Sequence, residues 1–317
     1  MNPVVRQPRA GHRHRFNPGL SALLAALAAA VALSACGTAR TSPASSRAAA
    51  GNAPLSERQI AAIVTSPNRS AADRDSDQRR RPGQVLAFIG VRPGMVALDL
   101  NAAGGYTTEL LARAVGPNGR VYGQSPPPRD ANSPPQQPAA PEGNSAPARP
   151  AAATATASTA PARAPAVRLT SPQALAARTE ANPSLANIIP VVRPFENPVP
   201  PELANNSLDL VTLMFNYHDL GHWGIDRAQM NARLFAALKP GGVYVIADHA
   251  GRPGTGISES GTLHRIEQAF LRREVEAAGF RQIDEGYFLR NPDDPRDKNT
   301  PEPPQPKDDF IVKFVKP

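Results

Sequence analysis

The chain has 317 residues, of which 41% are hydrophobic and 20% charged, the balance of an ordinary folded protein with one large domain or two small ones. Its 36 prolines exceed what helices and strands can hold, because proline lacks the backbone N–H both need, so part of the chain is linker. A single cysteine excludes disulfides within the chain, and the formal charge of +8 comes without a Lys/Arg cluster interleaved with aromatics, so no nucleic-acid partner is expected.

The first residues read as an export signal. Arg6, Arg9, Arg13 and Arg15 form a basic start without an acid, and residues 20–33 are Leu, Ala and Val broken only by Ser21. That stretch is shorter than the roughly 20 residues of a membrane span and fits the apolar part of a signal peptide over residues 1–35. Leu33-Ser34-Ala35-Cys36 resembles a bacterial lipobox, which implies a lipid on Cys36 as the first mature residue; the alternative is an ordinary secretory signal with an incidental cysteine. Gly37, rather than an aspartate, resembles lipoproteins sent on to the outer membrane. The expected location is the cell envelope, lipid-anchored and facing the periplasm. Loss of the four arginines lowers the charge from +8 to +4. Residues 36–54 read as a flexible tether and 55–317 as the folded domain.

Leu55–Val64 is predicted as a short helix with Ser56 as its cap. Residues 65–77 are polar, and Arg79–Ile89 is predicted as a second helix. Met95–Leu100 is a short apolar run ending in a charge, as a buried parallel strand does. A turn at Gly104-Gly105 and a helix over Thr107–Val115 follow, and Gly116-Pro117-Asn118-Gly119 stops that helix. Val121-Tyr122 is the heart of a second strand ending at Gly123-Gln124. Residues 125–165 are rich in Pro, Ala, Ser and Thr and nearly lack large apolar side chains, so a disordered insertion is expected there. Alternation then resumes. A helix is expected over Ser171–Arg178, strands over Ile188–Val192 and Leu208–Phe215, and a helix over Asp226–Leu238 closed by Lys239-Pro240-Gly241-Gly242. A strand over Val243–Ala247, a helix over Thr262–Ala278 and a terminal strand pair, Arg281–Leu289 with Phe310–Val315, complete the series. The pattern implies an α/β fold with a mostly parallel sheet covered on both faces and antiparallel strands at one edge.

The order of ALDLNAAGGYTTELLA, SLDLVTLMFNYHDL, LKPGGVYVIADH and a closing strand pair resembles class I S-adenosylmethionine-dependent methyltransferases. NYHDL, ALKPGGVY, GTLHRI and LRNPDDPRD resemble, more narrowly, exported bacterial predicted methyltransferases. The resemblance covers about residues 79–317 apart from the insertion. It implies a Rossmann-like, seven-stranded sheet with an antiparallel last strand, and S-adenosylmethionine held across the strand tips.

In an open α/β sheet, ligands bind beyond the carboxyl ends of the strands. The resemblance places the cofactor against Asp99 and the loop Asn101, Ala103, Gly104 and Gly105, where Asn101 and Ala103 replace two of the family's glycines. An ordinary tight strand–helix turn is the alternative reading. Gln124 falls where the family commonly has an acid for the ribose, and Glu196 near its adenine-facing acid or as an exposed loop charge. Asn216 is assigned to the cofactor side, and Tyr217, His218 and Asp219 to the acceptor side. His218 is the candidate base, Asp219 its orienting partner and His249 its competitor, against a structural role for each histidine. His222 and His264 are expected to be structural or on the surface. No metal is assigned, although Asp219, Asp248 and His249 could meet as a divalent-ion set. Two functions stay open: methyl transfer to a small-molecule acceptor, or a non-catalytic envelope binding protein that kept the fold and lost the cofactor.

Overall fold

A computed structural model describes residues 53–128 and 169–317. The signal peptide, Cys36, nearly all of the tether and most of the expected insertion lie outside the described residues. No helix among the described residues is long and apolar enough to cross a membrane.

Three helices precede the sheet: α1 (Glu57–Val64), α2 (Ala71–Arg80) and α3 (Pro82–Ile89). Ser56 caps α1 as expected, and the structure adds a capping box with Gln59. The single helix expected over Arg79–Ile89 is instead split. Pro82 disfavours helical backbone at the residue before it, and Arg81 turns left-handed at φ 45° between the two helices. α2 escapes an apolar-periodicity reading because beyond Ala71 and Ala72 it is wholly polar. Its charges are paired instead: Asp77 takes Arg69 at 2.6 Å, and Asp73 takes Arg178 from a later helix at 2.5 Å.

The sheet follows as β1 (Val96–Leu100), α4 (Tyr106–Val115), β2 (Arg120–Ser125), α5 (Ser171–Ala181), β3 (Ile188–Val192), β4 (Leu208–Met214), the one-turn α6 (Asp219–His222), α7 (Arg227–Ala237), β5 (Leu238–His249), α8 (Gln268–Ala277), β6 (Arg281–Gly286) and β7 (Asp309–Val315). β2 includes Ser125, which is buried, so the sheet takes in the first residue of the stretch expected as an insertion. The helix expected from Thr262 starts only at Gln268. The residues before it run as an irregular segment, tied to the end of β5 by a bridge between Ala250 and Ile266.

The strand order is β3-β2-β1-β4-β5-β7-β6. β1 to β5 run parallel, and β7 inserts antiparallel between β5 and β6. This is the class I methyltransferase fold that the sequence implied. The order reverses between β1 and β4, which opens a crevice at their carboxyl ends. Leu98, Leu100, Val211, Leu213, Tyr244 and Ile246 form one apolar layer, while Ala97, Val121, Leu210, Val245 and Ile311 pack the other. Covering both faces leaves the strand tips as the place where polar groups gather.

Candidate functional site

The turn after β1 keeps a demanding backbone. Asn101 (φ 52°), Ala103 (φ 47°) and Gly105 (φ 85°) all lie in the left-handed region, although two of them are not glycine. Such a residue costs about 1–2 kcal/mol, so something must hold it. Gln124 does: its Oε1 accepts from Asn101 N at 3.0 Å, and its backbone oxygen accepts from Ala102 N at 2.7 Å. Its Nε2 donates to Arg193 O at 2.6 Å, beyond the end of β3. The amide is buried with both ends engaged, so Gln124 shapes the turn rather than facing a ligand.

Asp99 is likewise turned inward. It is 2% exposed, and its two oxygens accept from Thr108 Oγ1 at 2.6 Å and Thr212 Oγ1 at 2.7 Å. Burial pushes its carboxyl up to about 6, against the pull of those two hydroxyls. Gly105 and Gly123 serve packing. A Cβ on Gly105 would lie 2.7 Å from Leu175 Cδ1, and one on Gly123 2.5 Å from Leu175 Cδ2, so α5 closes over both. The crest of the turn, Ala103 and Gly104, is exposed, and a Cβ on Gly104 would meet nothing within 4 Å. Ser125 closes β2 with a buried Oγ that has no hydrogen-bond partner. Glu196 is half-buried in the loop after β3, whose Phe195 stacks on Trp223 at 5.8 Å.

Beside this turn lies an apolar cleft lined by Arg80, Val85, Tyr106, Thr107, Met214 and Phe215. The Arg80 guanidinium sits 5.0 Å from the Tyr106 ring centre and 5.4 Å from that of Phe215. Phe215, itself left-handed at φ 62°, leads to a second cluster through its ring contact with His249 at 5.5 Å. The tips of β4 and β5 gather all four histidines of the described residues: His218, His222, His249 and His264.

His218 is buried between two carboxylates, with Nδ1 2.6 Å from Asp248 Oδ1 and Nε2 3.1 Å from Asp219 Oδ1. Burial alone would lower its pKa, but Asp248 and Asp219 outweigh it and hold the imidazole at about 9. Asp219, which burial alone would raise, is held well below the usual carboxylate range by His218 and His264. Its Oδ1 also faces His264 Nδ1 at 3.1 Å, and its Oδ2 accepts from Asn216 Nδ2 at 3.0 Å. Asp248 accepts from the backbone N–H groups of His218 and His249 as well. His249 Nδ1 pairs with Asp309 Oδ1 at 2.6 Å on the neighbouring strand β7, and burial raises the Asp309 carboxyl well above its ordinary value.

No family model matches the chain, and no curated protein does. Among solved structures it is similar to a SAM-dependent methyltransferase from Aquifex aeolicus, 16% identical over 83% of this chain and 100% of that one, with a TM-score of 0.48. It is also similar to an arsenic(III) S-adenosylmethionine methyltransferase from Chlamydomonas reinhardtii, 14% identical over 81% of this chain and 73% of that one, TM-score 0.45. A third is Aeropyrum pernix fibrillarin with bound S-adenosyl-L-methionine, 16% identical over 70% and 67% of the two chains, TM-score 0.40. The class of this sheet rests on its own strand order.

The structure thus brings together Asn216, His218 and Asp219, and separately the turn of Asn101, Ala103 and Gly104. Tyr217 does not line the acceptor side. It points the other way, into the layer under α7 and α8, where its hydroxyl donates to Glu274 Oε2 at 3.1 Å and accepts from Asn231 Nδ2 at 2.9 Å. The chain leaves β4 through the left-handed Phe215 and turns at Tyr217-His218 into α6, and this change of direction sends Tyr217 into the core. His264, expected to be structural or on the surface, faces Asp219. Sequence distance hid it, because 45 residues separate the pair and the segment before α8 has no periodic pattern. Ser125 was hidden by its place at the edge of the proline-rich stretch.

Proposed function

We propose that the chain is an S-adenosylmethionine-dependent methyltransferase acting on a small-molecule acceptor. The observation that carries this reading is the β1 turn. Three left-handed residues sit at the switch point of the sheet in a turn that Gln124 holds at Asn101 and Ala102, and the turn's crest faces open space at Gly104. A turn that served only to connect β1 to α4 has no need of two strained non-glycine residues. The residues present fit the cofactor, but through other contacts than the resemblance implies. The backbone of Ala103 and Gly104 and the unpaired Ser125 hydroxyl replace Asp99 and Gln124 as the groups free to hold it.

A bound S-adenosylmethionine would supply a methyl group on a sulfonium sulfur. Methyl transfer asks the protein mainly to hold acceptor and methyl close and aligned, and to keep water out. The apolar cleft between Tyr106 and Phe215 supports that exclusion, and it lies between the turn and the histidine cluster. With no cation at its Nε2, His218 is held as imidazolium between two carboxylates and is poorly suited to accept a proton at neutral pH; an ion bound at Nε2 would displace that proton to solvent. The role of His218 in this reading is to fix Asp219 and the local charge. Lipidation at Cys36, an envelope location and membership of the exported family belong to the same proposal and rest on the N-terminal sequence.

Calorimetry of the soluble domain with S-adenosylmethionine and its demethylated product tests the reading. Gly104→Val points its side chain into open space, so it should leave the melting temperature unchanged and weaken binding at least tenfold. Ser125→Ala should weaken it a few-fold, since a neutral hydrogen bond contributes about 0.5–1.5 kcal/mol. Absence of binding by the wild type at millimolar ligand would favour the non-catalytic alternative.

A further inference from the structure

We infer that His218 Nε2, Asp219 Oδ1 and His264 Nδ1 form a divalent transition-metal site, with zinc as the ion best matched to two imidazoles and one carboxylate. The three atoms lie within 4.8 Å of one another, and Asp219 Oδ1 is 3.1 Å from each nitrogen. A tetrahedral zinc ion with bonds of about 2.0–2.1 Å separates its ligand atoms by about 3.3–3.4 Å. Two edges of that tetrahedron are therefore nearly in place, and the third, between the two nitrogens, is within 4.8 Å.

The surroundings are those that hold a ligand set. A metal-binding histidine commonly donates its other ring N–H to a carboxylate, which fixes the tautomer and raises the basicity of the ligating nitrogen. Asp248, fully buried, stands 2.6 Å from His218 Nδ1 in that role and is itself fixed by two backbone N–H groups. Asn216 holds the second oxygen of Asp219 at 3.0 Å, leaving Oδ1 for the ion. His264 is held at a left-handed φ of 51° by its neighbour Arg265, fully buried, which clamps Asp294 at 2.8 Å and the carbonyls of Ala250 and Lys298. The His264 side chain is 12% exposed, the most open of the three, so an ion has a way in. Three protein ligands with a free fourth position is the count of catalytic rather than structural zinc sites.

The set differs from the one the strand tips suggest by sequence. Asp248 and His249 lie outside it: the ligand atoms that gather belong to His218, Asp219 and His264, while Asp248 faces His218 Nδ1 and His249 Nδ1 pairs with Asp309. Binding of the ion does not depend on the methyltransferase reading; only its service to an acceptor oxygen does.

The test uses the untagged soluble protein, freed of metal by a chelator and then titrated with zinc, manganese or magnesium without any adenosyl ligand. One equivalent of zinc should bind with sub-micromolar affinity and raise the melting temperature, with magnesium at least a hundredfold weaker. Cobalt(II) should give the intense visible bands of a tetrahedral site. His264→Ala and Asp219→Asn should each lose at least a hundredfold in zinc affinity, while His222→Ala keeps it. His264 is partly exposed, so its variant is expected to fold, which circular dichroism checks. Uptake without fixed stoichiometry, an octahedral cobalt spectrum, or equal affinity in a folded His264→Ala would each overturn the proposal. Zinc binding with no adenosyl binding would uphold this site and reject the methyltransferase reading.

Discussion

At the scale of single residues, burial has changed what familiar side chains do. Asp99 occupies the family's acid position but spends both oxygens on Thr108 and Thr212. Its carboxyl titrates near 6 in the fold, against 3.8 as the ordinary value, so the native state keeps its proton to higher pH than the unfolded chain. Stability therefore falls as pH rises through that window, and the full penalty is present above about pH 6, on the order of 2–3 kcal/mol. Asp99→Asn keeps one acceptor and one donor for the two hydroxyls and removes the buried charge. Its melting temperature should match wild type near pH 4 and exceed it at pH 7. A wild type that melts higher at both pH values would show that the carboxylate is fully ionised and favourably held. Sequence alone gives Asp99 a place at a strand end. Whether it faces ligand or core depends on Thr212, 113 residues away, which no local pattern indicates.

At the scale of elements, the long C-terminal loop shows how a polar sequence becomes structure. Residues 290–309 are polar and proline-rich, and by sequence they are a loop between the two terminal strands. In the fold they carry Asp294 to Arg265, and Asp308 receives Arg296 at 2.6 Å and Arg290 at 3.3 Å. Removing one partner of a buried pair leaves an uncompensated charge, which costs about 3–5 kcal/mol. Arg265→Met should lower denaturant stability by that amount. Because Arg265 also sets the position of His264, the same variant should disturb the cluster at the tips of β4 and β5. A loss under 1 kcal/mol would mean that the loop docks without the clamp. α2 teaches the same lesson. It holds almost no apolar side chain, yet Asp73 and Asp77 tie it to α5, to Arg69 and to Tyr106. Helices anchored by charge pairs across the fold are invisible to hydrophobic periodicity.

At the scale of the whole molecule, the N-terminal sequence bears on where the domain works. The basic start, the short apolar run and Cys36 are the basis for proposing an anchored protein, and among the described residues no helix is long and apolar enough to cross a membrane. A single lipid chain binds membranes only marginally, and stable attachment takes two or more, which a diacylglyceryl group on Cys36 would provide. Cys36→Ser should therefore abolish processing at that position, and a variant that is still cleaved should appear in the soluble fraction. Fractionation that finds the variant processed and membrane-held like the wild type would remove the lipobox from the account.

The sequence by itself determined the class of fold, the strand order's antiparallel ending and the turns that punctuate it. These follow from short-range rules: apolar runs of strand length, Gly and Pro stops, a helix cap at Ser56. It also located Asn216, His218 and Asp219 at a strand tip, because functional loops in parallel sheets follow the strands. Only the tertiary structure decided which way those side chains face and what they meet. Tyr217 turned into the core to reach Asn231 and Glu274, Gln124 bent back to hold Asn101, and His264 came from 45 residues away to face Asp219. The physical reason is that a hydrogen bond or ion pair depends on distance in space and on exclusion of water, and neither is written in the spacing along the chain.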